Sequence, residues 1–340
     1  MKKITAAITA VGHFVPDKVL DNKYFEQIVD TTDEWITTRT GIKERRALEK
    51  DQPTSFMAVK SIKKLLANRK ISADEIDVII VATVTPDMLF PATACIIQDK
   101  IGASKAWGFD ILAACSGFIF ALTTGVQFIE SGNYKKVLVV GADKMTSIAN
   151  YKDRNTCILF GDAAASVLLE PSEEPGYGIL DSIMFVDGKG EKYLYMRGGG
   201  SLNPPSHETV DKDMHYVYQE GRPVFKDAVK GMADVSAEIM QRNKLSSDDV
   251  AYLVPHQANL RILTACAERM GIGMDKVMVN IHKYGNTTAA TIPLCLSEYW
   301  EEGKLKKGDN LILSSFGAGY TWGAIYVKWS LEKKHDLRGA

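Results

Sequence analysis

Residues 3–16 (KITAAITAVGHFVP) alternate well enough for a strand that stops at Pro16. Residues 54–69 place Phe56, Val59, Ile62, Leu65 and Leu66 at helical spacing, which predicts an amphipathic helix. Val78 to Ala82 is instead a continuous, β-branched apolar run, the pattern of a strand covered on both faces. Residues 91–102 read as a helix opened by Pro91 and stopped near Gly102. In residues 109–122 an apolar strand (Phe109, Ile111, Leu112) runs through Ala113 and Ala114 into Cys115, Ser116 and Gly117, and on into a buried helix. Residues 130–144 predict a turn and a buried strand, and residues 160–171 a further strand entered through a glycine turn. Residues 193–213, rich in glycine, proline and serine, read as an exposed loop, and residues 222–240 as an amphipathic helix through Phe225, Val229, Met232 and Ile239. Strands and helices that alternate in this way imply a parallel sheet covered on both sides.

The pattern then repeats. LSSDDVAYLVPHQAN from Leu245 aligns with ISADEIDVIIVATVT from Ile71, acidic pair on acidic pair. IGMDKVMVNIHKYGNTTAA from Ile272 aligns with IGASKAWGFDILAACSGFI from Ile101, and the segment from Glu302 aligns with that from Glu130. All three offsets stay near about 170 residues, which points to an internal duplication of one α/β unit. The division this implies is residues 1–174, carrying the cysteine, and 175–340, carrying the histidine and asparagine.

Composition narrows the function without naming it. The 340 residues are 46% hydrophobic and 24% charged, with a formal net charge of −1. Such a balance leaves no footprint for nucleic acid or an anionic membrane. Five widely spread cysteines without CxxC spacing suit neither a disulfide framework nor a zinc site. Met1-Lys2-Lys3 begins like a signal peptide, but Asp17, Asp21 and Asp30 arrive with no sustained apolar run between, and no later segment is long enough to span a membrane. A cytoplasmic protein is the expectation. The GGG of residues 198–200 neither follows a buried strand nor opens a helix, so it is not a phosphate loop.

Ligands of open α/β sheets bind beyond the carboxyl ends of the strands. Cys115, His256 and Asn286 all fall at such predicted ends, His256 after AYLVP and Asn286 after VMVNI. Each has a bland reading: a small core residue, a hydrogen-bonded structural histidine, the left-handed residue of a turn. Placed together by a pseudo-two-fold, a thiol, an imidazole and a carboxamide suit acyl transfer through a thioester. At the start of a helix Cys115 is expected to ionise more readily than a free thiol. Trp35 and Arg39, four residues apart, fit either a solvated helix with one anchoring tryptophan or a surface for a planar, phosphate-bearing ligand.

The motifs TTDEWI with R-T-G-I, DILAACSGF, VPHQANLRI, HKYGNTTAA and SSFGAGYTWG make the chain, from residue 3 to residue 329, resemble the β-ketoacyl-acyl carrier protein synthase III family of the thiolase superfamily. The resemblance implies a thiolase-like α/β fold, two duplicated halves packed as a five-layered αβαβα core, in a homodimer. It implies that Cys115 takes an acyl group, usually acetyl, from acyl-CoA, and that His256 and Asn286 stabilise the enolate formed when malonyl-acyl carrier protein loses CO2. The backbone of Cys115 and Ala318 would form the oxyanion hole. Trp35 and Arg154 resemble the pair that sandwiches the CoA adenine, Arg39 its phosphate partner, and Asn259 the pantetheine contact. Gln257, Ala258, Asn259, Leu260 and Arg261, with Lys226, would form the rim for the acidic carrier protein. Phe90 would reach across the dimer to shape the acyl pocket. CoA and carrier-protein thioesters are substrates, and no cofactor or metal is implied. Ser116, Ala318 and Asn155 depart from the usual pattern, and only Asn155 touches expected CoA contacts.

Rivals fit less well. A papain-like hydrolase shares the order Cys, His, Asn, but its C-G-S-C-W type signature is absent. Degradative thiolases use a second cysteine near the C-terminus, where SSFGAGYTWG has none. Hydroxymethylglutaryl-CoA synthases need a carboxylate base that VATVTP does not supply. A non-catalytic chain-length factor would lack the cysteine. Condensing enzymes of secondary metabolism keep the same three residues and stand as the alternative.

Overall fold

Val78–Ala82, expected to be covered on both faces, is buried at every position and lies inside a five-stranded sheet. The computed structural model describes residues 4–332; residues 1–3 and 333–340, the outer ends of the two expected halves, lie outside the described residues. The first sheet is built from β1 (Ala6–Phe14), β2 (Val78–Ala82), β3 (Trp107–Ile111), β4 (Val137–Lys144) and β5 (Asp162–Pro171), in the order β1-β5-β4-β2-β3. The second is built from β6 (Gly178–Val186), β7 (Val250–Pro255), β8 (Asn310–Gly317) and β9 (Thr321–Lys328), in the order β6-β9-β8-β7.

The two orders are the same order. In each sheet the first two pairings are antiparallel and the next is parallel. The fifth place, held by β3 in the first sheet, is held in the second by a single parallel bridge from Leu253 to Val277. The strand expected at VMVNI is thus reduced to one bridged residue, and the short helix Ile281–Tyr284 follows it.

Helices complete five layers. α1 (Asp33–Thr40) precedes α2 (Thr54–Arg69) and α3 (Thr93–Ile101), which cover the outside of the first sheet. α4 (Gly117–Glu130) and α7 (Thr291–Glu301) lie between the sheets and touch both. α5 (Gly221–Arg242) and α6 (Leu260–Met270) cover the outside of the second sheet. The sequences match these places. α2 buries one stripe, Met57, Ala58, Ser61, Ile62 and Leu65, whereas α7 buries seven consecutive residues from Thr291 to Ser297. A helix with a sheet on either side has no solvent face to make polar. Cys295 is one of those seven, packed in the central core as a small apolar residue.

The segment read as an exposed loop is partly ordered: Leu194–Tyr195 pairs with Tyr218–Gln219, and a short helix, His207–Asp211, starts at the capping residue Ser206. No helix among the described residues is long and apolar enough to cross a membrane.

Candidate active site

β3 ends at Ile111, and the chain turns through Ala113 into a short 3-10 turn, Ala114–Ser116, that runs directly into α4. Cys115 therefore stands where the strand-turn-helix pattern puts it. His256 follows β7, its backbone N–H donating to the Ser314 carbonyl of β8 at 2.8 Å. Asn286 follows Gly285 and is pinned by its backbone, which donates to Leu159 O (2.8 Å) and accepts from Gly161 N–H (3.0 Å). That wall is itself held by Arg45, a fully buried guanidinium whose Nε donates to Ile158 O at 2.7 Å.

All three side chains line one cavity of about 1120 Å3. Cys115 keeps part of its surface open to it, while His256 and Asn286 are buried. Burial dominates the electrostatics. It lowers the His256 pKa to about 3, so the ring is neutral at physiological pH. Burial, reinforced by the nearby Asp143 carboxylate, raises the Cys115 thiol to about 12. Hydrogen bonds from its own backbone and from the Asn286 side chain oppose this without cancelling it. The readily ionised thiol expected from the helix start is therefore not found. At neutral pH the site holds a neutral thiol beside a neutral imidazole, because a charge there loses more hydration than the helix end returns.

The orientation of each polar side chain is set by a partner the sequence reading did not single out. His256 Nδ1 lies 2.8 Å from the Thr291 hydroxyl at the start of α7. The Asn286 side-chain oxygen accepts the Thr288 N–H at 2.9 Å, leaving its NH2 for the sulfur. Neither threonine stands out in a residue pattern, since their roles depend on which hydroxyl or amide the fold turns inward.

Comparison with known proteins bears on this geometry. The family described as 3-oxoacyl-[acyl-carrier-protein (ACP)] synthase III matches residues 109–188, and the C-terminal model of the same family matches residues 240–329. A β-ketoacyl-[acyl-carrier-protein] synthase III of Chlorobaculum tepidum is 60% identical over 326 residues, covering 95% of this chain and 99% of the relative. The chain belongs to the 3-oxoacyl-[acyl-carrier-protein] synthase III family. The solved synthase III of Aquifex aeolicus superposes with a TM-score of 0.88 at 42% identity, covering 95% of this chain and all of that one. The Thermus thermophilus enzyme does so at 0.88 and 40%, covering 95% and 99%. The chain is thus a condensing acyltransferase with the thiolase-like fold, and the secondary-metabolism alternative is not favoured.

Of the other residues expected at the site, five line the cavity and Arg154, Leu260 and Lys226 do not. Trp35, Arg39, Ala258, Asn259 and Arg261 line the same cavity as the triad. The Arg39 and Arg154 guanidinium carbons lie 4.7 and 5.4 Å from the Trp35 ring centroid, and Arg154 also donates to the Asp30 carbonyl at 2.7 Å. α1 ends at Gly41, whose left-handed φ of 81° ends the helix against Leu260, and Asn259 donates to the Arg39 carbonyl at 2.9 Å. The R-T-G-I motif thereby brings α1 of one half onto α6 of the other. Arg261 lies over Phe225, 4.8 Å from its centroid, next to the exposed Lys226.

One expectation needs correction. Gln257 is fully buried, donating to Pro255 O and Met278 O and accepting from Asn280 and Ile281 N–H, so it ties the end of β7 to the 278–281 segment and is not part of an exposed rim. Phe90 is 83% exposed and lies outside this chain's own cavity lining, as a residue expected to reach across a dimer would. Ala318 is not among the cavity-lining residues, and its neighbour Gly317 packs so tightly that a Cβ there would stand 2.8 Å from the Cys115 nitrogen. Part of the cavity lining comes from the segment read as a loop, including Leu194, Tyr195, Arg197 and Lys212. No periodicity marks those residues. Asn155 lines the cavity with its side chain bonded to Asp153, and Ser116 is buried, donating to Thr321 O at 2.9 Å.

Proposed function

We propose that this synthase primes fatty-acid synthesis by decarboxylative condensation, with acetyl-CoA as the acyl donor and malonyl-acyl carrier protein as the extender. The carrying observation is the convergence of Cys115, His256 and Asn286 on one cavity from matched strand ends of the two halves. In the first half-reaction the Cys115 sulfur attacks the acyl-CoA carbonyl, the C–S bond to CoA breaks, and the thiol proton leaves with CoA. The backbone N–H groups of Cys115 and Ala318 are the proposed donors to the oxyanion. In the second, the malonyl C–C bond breaks to release CO2 and leave an enolate. The enolate carbon attacks the acyl-Cys115 carbonyl, and the freed Cys115 thiolate takes up a proton.

His256 and Asn286 serve the enolate as neutral donors. The Thr288 carbonyl that the Thr291 hydroxyl can reach at 3.1 Å already accepts the Thr291 N–H. The donor role assigned to His256 requires the Thr291 hydroxyl to turn its proton from that carbonyl to His256 Nδ1, which places the ring proton on Nε2. No charged base is required, because CO2 loss itself generates the carbanion. Trp35, Arg39 and Arg154 are assigned to the CoA nucleotide and Asn259 to pantetheine; Ala258, Asn259, Leu260, Arg261 and Lys226 are assigned to the acidic carrier protein. The site needs no resident cofactor in this scheme.

The assembly proposed is a cytoplasmic homodimer of chains divided near residues 174 and 175, within the connection between β5 and β6. Met88, Leu89, Phe90 and Leu112 are 49%, 79%, 83% and 78% exposed. They cluster beside the edge strand β3, since the Asp110 carboxylate accepts the N–H groups of Thr93 and Ala94. An apolar cluster on an open sheet edge is suited to a second copy. There Phe90 would enter the partner's acyl pocket.

The test is intact-mass analysis after exposure to a panel of acyl-CoAs, followed by malonyl-acyl carrier protein. Acyl adducts confined to Cys115 and discharged with CO2 release are expected. An unmodified protein, or label on another residue, defeats the assignment.

A further inference from the structure

Asp143, at the end of β4, is fully buried and has no ion-pair partner among the described residues. Its neutral donors divide between the halves of the molecule. Oδ1 accepts from Val84 N–H (2.8 Å), the Thr85 hydroxyl (3.0 Å), the Thr83 hydroxyl (3.1 Å) and Thr85 N–H (3.3 Å), all in the loop that follows β2. Oδ2 accepts from Ala289 N–H at 3.1 Å, in the turn that follows Asn286 in the other half.

That turn lies directly on β4, where a Cβ added at Gly141 would stand 2.3 Å from the Ala289 carbonyl oxygen. Its first residue, Thr288, has a φ of 53°, uncommon for a β-branched side chain, and gives its N–H to the Asn286 side chain. The conformation of Thr288 therefore decides where the Asn286 amide points.

We propose that Asp143 is a positioning residue for this reaction: gripped by the loop after β2, its carboxylate holds the 288–290 turn and so aims the Asn286 amide at the Cys115 sulfur. The inference rests on the role assigned above to Asn286. It also carries an electrostatic corollary, because the same anion lies close enough to disfavour the Cys115 thiolate.

Two variants separate these effects. Asp143→Asn can keep its carbonyl oxygen toward the four donors of the β2 loop, but its NH2 then opposes the Ala289 N–H and breaks the link. Replacing Ala289 by its α-hydroxy analogue, a backbone ester, removes that N–H while leaving the carboxylate charged. Both variants are expected to lose about 10- to 10²-fold in CO2 release from malonyl-acyl carrier protein, with acylation of Cys115 by acetyl-CoA kept within a few-fold. Only Asp143→Asn should move the pH profile of Cys115 alkylation to lower pH. A purely structural carboxylate would instead depress both half-reactions together. Asn286→Ala is the reference. If it leaves CO2 release intact, the role of Asn286 fails first. If it abolishes release while the ester variant retains the wild-type rate, Asp143 has no positioning role; should Asp143→Asn not fold, the ester variant decides alone.

Discussion

At the scale of single residues, burial outweighs local motif. Cys115 sits at a helix start that favours negative charge, yet its thiol is held neutral because the surroundings exclude water. His256 follows the same rule in the opposite direction and has a consequence for stability. Its pKa is about 3 in the folded chain against an ordinary value of 6.5, so between those pH values the unfolded chain binds the extra proton. Stability should therefore fall as pH drops through that window, by roughly 1 kcal/mol per pH unit from this group. In His256→Ala, urea unfolding between pH 4 and 7 should show a slope shallower by that amount, and acylation by acetyl-CoA should persist while condensation collapses. Equal loss of both half-reactions, or an unchanged acid slope, would show that His256 does something else.

At the scale of elements, the site is made where tight turns meet. Gly317 ends β8 against the 114–116 turn, and Ser315 donates to the Cys115 carbonyl at 2.8 Å. A methyl group at 317 would sit 2.8 Å from Cys115 N and 3.0 Å from Ser116 N, inside van der Waals contact. Gly317→Ala should push β8 off the nucleophile turn, costing about 1–3 kcal/mol of stability and slowing acylation about 10- to 10²-fold. Stopped-flow release of CoA reads the second effect; a wild-type rate would mean that the turn has room to yield. The motif SSFGAGYTWG marked this segment, but only the packed turn reveals that Gly317 is the residue pressed against the nucleophile turn.

At the scale of the whole molecule, duplication explains both the core and the cavity. Two sheets with one strand order bury α4 and α7 between them, and the ends of their strands face a common space. Phe90 is not among the residues lining that space and is exposed, as are Leu89 and Leu112. A Phe90→Asp, Leu112→Asp double variant should sediment as a monomer and lose condensation, whereas the parent should sediment as a dimer at micromolar concentration. A monomeric, fully active parent would remove the partner from the acyl pocket.

Periodicity and repeat spacing were enough to read the α/β class, the duplication, all five strands of the first sheet and the three converging residues, but not β6 or β9 of the second. These follow from apolar patterns that any core of this kind must satisfy, so they are written locally in the chain. The fifth place of the second sheet, the buried role of Gln257, the neutral state of Cys115 and the hold of Asp143 and Thr291 on their neighbours were not legible. Each depends on solvent exclusion or on a hydrogen bond between segments more than twenty residues apart. Such partners are chosen by packing, and a linear pattern carries no record of which buried groups end up face to face.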